Sequence, residues 1–384
     1  MPPQVALVLF VALGLLWGSS SAEAIPAYAR KHQVACSLCH SAWPLLNQYG
    51  RQFKENGYRL DRQPKAAAEP GEIALEDRLT LAANLPVSFR VQGRPFVKRS
   101  TDSRFDMQVV HEVELQMSDG TGGNISYFVN FEAADDAGWT AELSDLAAGW
   151  HPRTEANIVG GFGPLTFADP YNTFASRRLT QDRPSPNSAG FQSGYRFRDS
   201  TQFGSFYGRA GGLFYSASVG TGAGDTVGAD KKDYLLRAAY DVPGGISIGG
   251  FSLIGDKELT TPLRTQEYSR AGADAQVESG PFTANVAWYR AKEEAAATLV
   301  RQTNDAWYVQ ALYVTSTAVP VVPVVRYESV ESGGGTASTD SVALALLAYV
   351  RGNVNVSLDY TKQTKVPPTR VKTHRFSVLV IFGM

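Results

Sequence analysis

The chain's two cysteines stand in one short string, Cys36-Ser37-Leu38-Cys39-His40. C-x-x-C-H is the attachment pattern for a c-type haem. The spacing has a chemical reason. Two thiols must reach two vinyl groups on one edge of a porphyrin, and the imidazole beside the second thiol must swing under the ring to hold iron. The string therefore predicts one covalent haem c, attached through Cys36 and Cys39, with His40 as the axial ligand to the haem iron. Three other uses of the residues stay open: a structural disulfide, a thioredoxin-like redox pair, or half of a zinc site. The second lacks a surrounding βαβ pattern, and the third lacks a second Cys pair.

The elements that must position this string are short. Leu45, Leu46, Tyr49 and Phe53 recur at helical spacing, and Gly57 is a plausible stop. Trp43, Leu46, Tyr49 and Phe53 are the candidates for packing on the haem. The module is about 45 residues, too small to fold without a staple or a partner. Haem can be the staple and the rest of the chain the partner. The four methionines are Met1, Met107, Met117 and Met384, so a His/Met haem confined to this module is excluded. The candidates for a distal ligand are His151, at a turn, and His32, four residues before Cys36. His111 shares a face with Met107 and Val109 and is expected to point to lipid; His374 is expected near the outer rim.

The module has an address in front of it. Val5–Trp17 is an apolar run, and Ala22-Glu23-Ala24 follows as an A-x-A cleavage site. This predicts a secretory signal peptide over 1–24. Residues 25–70 then form the monohaem module, with seven basic groups against three acidic ones, a net of +4. Residues 71–384 net −4. The change of charge and the soft stretch 63–71 mark the boundary.

Of the 384 residues, 43% are hydrophobic and 19% charged, with a formal net charge of −1 and a mean hydropathy of −0.18. That balance excludes a chain-wide basic coat, so nucleic acid is not an expected partner. It is also too apolar and aromatic for global disorder. After the first 24 residues no apolar run is long enough for a transmembrane helix.

What the remainder shows is alternation. Ile125, Tyr127, Val129 and Phe131 share one face, with Asn124, Ser126 and Asn130 opposite. Val354, Val356, Leu358 and Tyr360 face away from Asn355, Ser357, Asp359 and Thr361. Period two over ten residues is an amphipathic strand. Its polar face is charged enough to line a watery lumen. The spacing predicts sixteen strands, starting near 78, 105, 123, 141, 155, 200, 211, 233, 245, 267, 281, 304, 319, 340, 353 and 373. Turns alternate between short ones and long ones, the latter including 167–199 and 255–266. The expected fold is all-β: a sixteen-stranded outer-membrane barrel over 71–384 with the helical haem module plugging it. Outer-membrane lipid is then a partner, and both termini fall on the periplasmic side. Arg177, Arg178, Arg183, Arg196 and Arg198, in or near the longest loop, could form a basic constriction.

The first sixty residues resemble the fused monohaem cytochrome c–porin proteins of the bacterial outer membrane, of iron-oxidase type. The resemblance rests on Pro26-Ala27-Tyr28-Ala29-Arg30, Cys36-x-x-Cys39-His40, Pro44-Leu45-Leu46-Asn47, Tyr49-Gly50-Arg51-x-Phe53-Lys54 and Gly57-Tyr58. It covers about 35 residues closely. It implies Fe(II):cytochrome c oxidoreductase-like electron transfer. Extracellular Fe(II), or another redox donor, gives an electron to the haem, and a periplasmic c-type cytochrome or similar carrier takes it onward. Val159-Gly160-Gly161-Phe162-Gly163-Pro164-Leu165 also resembles a strand of phosphate-selective porins. Two other functions use the same parts: an outward conduit to extracellular acceptors, and an anion-selective porin with a structural or sensory haem.

Overall fold

The computed structural model describes residues 28, 36–59, 72–76, 79–82, 87–121, 124–135, 138–174, 179–222, 231–260, 263–295, 297–351 and 354–383. The signal peptide, His32, the 63–71 boundary, Arg177 and Arg178 lie outside them.

Near the head of the chain, a 3-10 turn Cys36–Leu38 leads into a small hairpin, β1 (His40–Ala42) and β2 (Leu45–Leu46). Helix α1 (Gln48–Glu55) follows. The helical spacing had pointed to Leu45 and Leu46 as part of the helix. They pair instead with His40 and Ala42, because Asn47 caps the helix: its side-chain oxygen accepts from Gly50 N–H at 2.9 Å. A capped Asn has extended backbone angles and fixes the helix start behind it. Gly57 does end the element, at φ 68°.

A separate hairpin, β3 (Glu72–Glu76) with β4 (Leu79–Ala82), precedes the wall. The wall itself is sixteen antiparallel strands. They are β5 (Val87–Arg99), β6 (Asp106–Thr121), β7 (Ile125–Asp135), β8 (Trp139–Arg153), β9 (Ala156–Pro164), β10 (Ser200–Ala210), β11 (Leu213–Thr221) and β12 (Lys232–Val242). Then come β13 (Ile246–Thr260), β14 (Leu263–Ser279), β15 (Phe282–Glu294), β16 (Arg301–Tyr313), β17 (Val321–Ser332), β18 (Ala337–Arg351), β19 (Val354–Lys365) and β20 (His374–Gly383). Pairing of β20 with β5, for example Val378 with Phe96, closes the ring. Closure removes the free edges that an open sheet would expose. Among the described residues no helix is long and apolar enough to cross a membrane.

The sequence places these strands well, with three corrections. The first wall strand begins at Val87, not near 78. Val87 already pairs with Met117 close to the end of β6, so earlier residues have little wall to pair with and form their own hairpin. The stretch 255–266 is not a loop. Pairing continues from Asp256–Glu267 to Thr260–Leu263, since beyond the apolar belt a hairpin can be polar on both faces. His111 does not face lipid. It is 2% exposed, and its Nδ1 lies 3.2 Å from Asp135 O. Between the pairs Gln92–Glu112 and Arg94–Gln108 the register shifts by two extra β6 residues, and such a bulge breaks the alternation locally. A Cβ at Gly93 would collide with Val109 O, so a glycine lets the bulge close.

Alternation sorts inside from outside. In β12, Tyr234, Leu236 and Tyr240 are exposed, while Asp233, Leu235, Arg237 and Asp241 are buried. Leu236 and Ile248, outside, are more than half exposed, whereas Arg237, inside, is 4% exposed. An apolar exterior over a charged interior is the inverse of a soluble protein and is what a membrane-spanning barrel presents to lipid. Most connections at one rim are short turns, with 314–320 the longer exception, and Val87 and Gly383 lie at that rim; the other rim carries the longest connections as well as the tight turn at 261–262.

Candidate functional site

Residues 36–59 sit in the short-turn mouth of the barrel. The β1–β2 hairpin lies against one side: Tyr349 Oη donates to Trp43 O at 3.1 Å, and Ala42 packs with Val322, Val324 and Leu347. Helix α1 crosses to other strands. Arg51 donates to Glu278 Oε1 at 2.7 Å and to Ser247 Oγ at 3.2 Å. Arg209 takes Glu55 through two nitrogens, and Tyr207 Oη donates to Glu55 O at 3.3 Å. The tail of the module reaches a third part of the wall, where Arg59 donates to Asn124 Oδ1 at 2.8 Å. These partners stand at or beside the short turns, so the module is held around the rim rather than at one point.

Cys36, Leu38, Cys39 and His40 are none of them buried, and Leu38 and Tyr49 are open to solvent. The two cysteines are not joined by a disulfide in the described structure. Burial pushes both thiols up from their ordinary range. The donors are therefore two unbridged thiols and an adjoining imidazole, on a turn with exposed apolar neighbours that a porphyrin face would cover. The residues present fit a c-type haem. Among the described residues no cluster of three His, Cys, Asp or Glu side chains forms a metal site of another kind.

The other candidates are spread. Leu46 lies at the contact between Cys39 and Gly50. The Trp43 ring faces the Arg90 guanidinium at 5.9 Å. Phe53 is buried against Tyr28 and Tyr58, at 5.1 and 6.0 Å between ring centres. His151 meets the far end of the module: its Nε2 lies 2.6 Å from Ser126 Oγ and its Nδ1 3.0 Å from Tyr207 Oη. A Cβ at Gly57 would come within 2.5 Å of the His151 ring.

The interior above the module is filled by residues 165–174 and 179–199 of the connection between β9 and β10. Leu165, Tyr171, Phe174, Tyr195 and Phe197 are buried. Tyr171 Oη donates to Asp241 Oδ1 at 3.0 Å, and Ser193 N–H donates to Glu293 Oε2 at 2.7 Å. Ser185 N–H donates to Glu328 Oε2 at 3.0 Å, on β17, eight places round the ring from β9. Module and loop also touch: Lys54 Nζ donates to Asp169 O at 3.0 Å, and the Arg51 guanidinium lies 5.0 Å from the Tyr171 ring centre.

Of the five arginines expected to form a basic constriction in or near this loop, three lie among the described residues. Arg196 and Arg198 are exposed, and Arg183 is half-buried. Buried wall arginines line the lumen instead: Arg209, Arg237, Arg270 and Arg326, each on a buried carboxylate. Their signal in the sequence is an arginine in the polar phase of a period-two strand, which alone does not tell lumen from water.

No protein-family model matches the chain, and no curated protein matches it. Solved structures do. OmpT of Vibrio cholerae, in trimer form, superposes with a TM-score of 0.58 at 10% identity, covering 78% of this chain and 98% of that one. An anion-selective porin from Comamonas acidovorans gives 0.55 at 10% identity, covering 78% and 99%. OmpF of Salmonella typhi gives 0.51 at 13% identity, covering 78% and 97%. The chain has the fold of the outer-membrane porin barrels.

Proposed function

We propose that this protein is an outer-membrane electron conduit working through one covalent haem c in the mouth of a porin-like barrel. Its donor is extracellular Fe(II), and its acceptor is a periplasmic c-type carrier that meets the short-turn rim, where both ends of the wall lie. The observation that carries the reading is the seating of Cys36-x-x-Cys39-His40: unbridged, open to solvent on one side, and locked to the wall through Glu55–Arg209 and Arg51–Glu278.

Cys36 and Cys39 hold the group, and His40 ligates its iron. Bound there, a haem supplies a one-electron couple that neither lipid nor side chains provide. The chain does the rest. Arg51, Glu55 and Arg59 fix the module in the wall, and the exposed face at Leu38 and Tyr49 lies toward the rim. The inward loop packs against the wall inside the lumen, which fits a barrel that passes electrons rather than solutes.

The test is anaerobic. Outer-membrane vesicles holding the protein are mixed with Fe(II) near neutral pH while the reduced c-type band is followed. Rapid reduction is expected. A haem reduced by a strong reductant but not by Fe(II) points to another donor or to outward flow. A chain without covalent haem, from a host with working attachment machinery, leaves the porin reading instead. That reading is favoured by the likeness to an anion-selective porin and opposed by the filled lumen.

A further inference from the structure

We infer that Asn47 sets the geometry of the Cys36–His40 turn for attachment of haem through both thiols; this rests on the haem reading above. Four contacts of one residue carry it. The Asn47 backbone N–H donates to Cys39 O at 3.0 Å. Its side-chain amide donates to Leu38 O at 3.0 Å and to Ser37 O at 3.3 Å. Its Oδ1 accepts from Gly50 N–H at 2.9 Å. Three successive carbonyls of the turn thus converge on the residue that starts α1. Gly50 completes the seat. A Cβ there would collide with the Cys39 carbonyl oxygen and lie 3.0 Å from Leu46 Cδ2, so the helix approaches the turn because position 50 has no side chain.

The chemistry needs such a seat. Each thioether forms when a cysteine S–H adds across a haem vinyl C=C. The S–H bond and the vinyl π bond are consumed, a sulfur–carbon bond is made, the thiol hydrogen ends on the other vinyl carbon, nothing leaves, and no outside oxidant or reductant is needed. Two additions plus ligation by the neighbouring imidazole require Cys36, Cys39 and His40 to face one porphyrin together. Holding the intervening carbonyls fixes that arrangement in advance. Asn47 is a positioning residue, acting through the turn. Asparagine has both the donors and the acceptor for this work, whereas aspartate has the acceptor alone. Aspartate remains a good helix cap, so Asn47→Asp keeps one function and removes the other.

The full chain is expressed with attachment machinery as wild type, Asn47→Asp, Asn47→Ala and Gly50→Ala, and recovered from outer membranes. Intact mass and the pyridine haemochrome band count thioethers. The midpoint potential reports the iron, and the heat-dependent gel shift reports the barrel. Asn47→Asp is expected to keep a folded barrel yet accumulate singly attached haem, with its band at longer wavelength and a shifted potential. Gly50→Ala is expected to show the same defect with Asn47 still present. Asn47→Asp matching the wild type while Asn47→Ala loses haem would mean that Asn47 only caps the helix, and would overturn the inference. So would all three variants matching the wild type. A wild type without covalent haem, beside a control cytochrome that carries it, overturns the haem reading and this inference with it; there the wild type fails along with the variants.

Discussion

Arg209 holds both carboxylate oxygens of Glu55, Nε on Oε2 and Nη2 on Oε1, each at 2.7 Å. One residue belongs to wall strand β10, the other to the small helix α1 that fills the mouth. The remaining guanidinium nitrogen, Nη1, lies 2.7 Å from Asp241 Oδ2. A bidentate pair fixes direction as well as distance, so it sets how the module is oriented in the wall.

Removing Glu55 leaves Arg209 on Asp241, so the loss is expected to fall below the roughly 3–5 kcal/mol of a buried charge left with no partner. Glu55→Ala is expected to loosen the module and expose it to protease in detergent, with the barrel itself still heat-resistant on a gel. Arg209→Met is expected to cost more than Glu55→Ala, because it takes the guanidinium from both Glu55 and the buried Asp241. A single variant as protease-resistant as the wild type would show that the pair does not hold the module.

Gly57 stands at φ 68° beside the His151 ring. Gly57→Ala carries a left-handed cost of about 1–2 kcal/mol and a collision besides. Adding His151→Ala is expected to recover the collision part and not the backbone part. A double-mutant cycle on thermal unfolding reads the coupling; strictly additive losses would mean that the two residues do not meet.

Arg270 is fully buried, paired with Glu293 at 2.7 Å, and ringed by Phe191, Tyr195, Phe197 and Tyr289 at 5.2–5.8 Å. It also donates to Tyr195 O at 2.8 Å, and so ties the inward loop to β14. The wild type is expected to pass little ionic current in planar bilayers. Arg270→Ala is expected to raise the current by releasing the loop. An open wild-type channel would contradict the sealed lumen.

Cys36 and Cys39 are expected to be blocked together when haem is attached. Denatured holoprotein should take up no maleimide, and protein made without attachment machinery should take up two per chain. Cys36→Ser or Cys39→Ser should leave haem on one bond, and the double variant should leave none. Maleimide uptake by the holoprotein would argue against thioether attachment.

The wall was legible because lipid outside and charge inside impose period two on each strand. Tyr234, Leu236 and Tyr240 announce one face of β12 without any partner in view. What fills the wall was not legible. The pair Arg237 with Asp274 joins residues 37 apart, and the polar phase of a strand reads the same whether it meets water or a loop. Locally, Cys36 to His40 is recognisable as chemistry, yet nothing in that string says that Arg51 will find Glu278, 227 residues on. His111 was misplaced for a similar reason: it sits in the bulge beside Gly93, which turns this one residue inward while Met107 and Val109 stay outside.

The closing seam between β20 and β5 bears on the order of assembly. The module that fills the mouth precedes every wall strand, while the seam needs the last one, where Val378 meets Phe96. A ring already shut would have to admit a helix carrying Arg51 and Glu55 past wall residues, beside the turns, that grip both of them. Biogenesis is simpler in the other sequence: the head of the chain folds first, and the sheet wraps round it. The module is then less a stopper added to a finished pore than the mandrel on which the wall is wound.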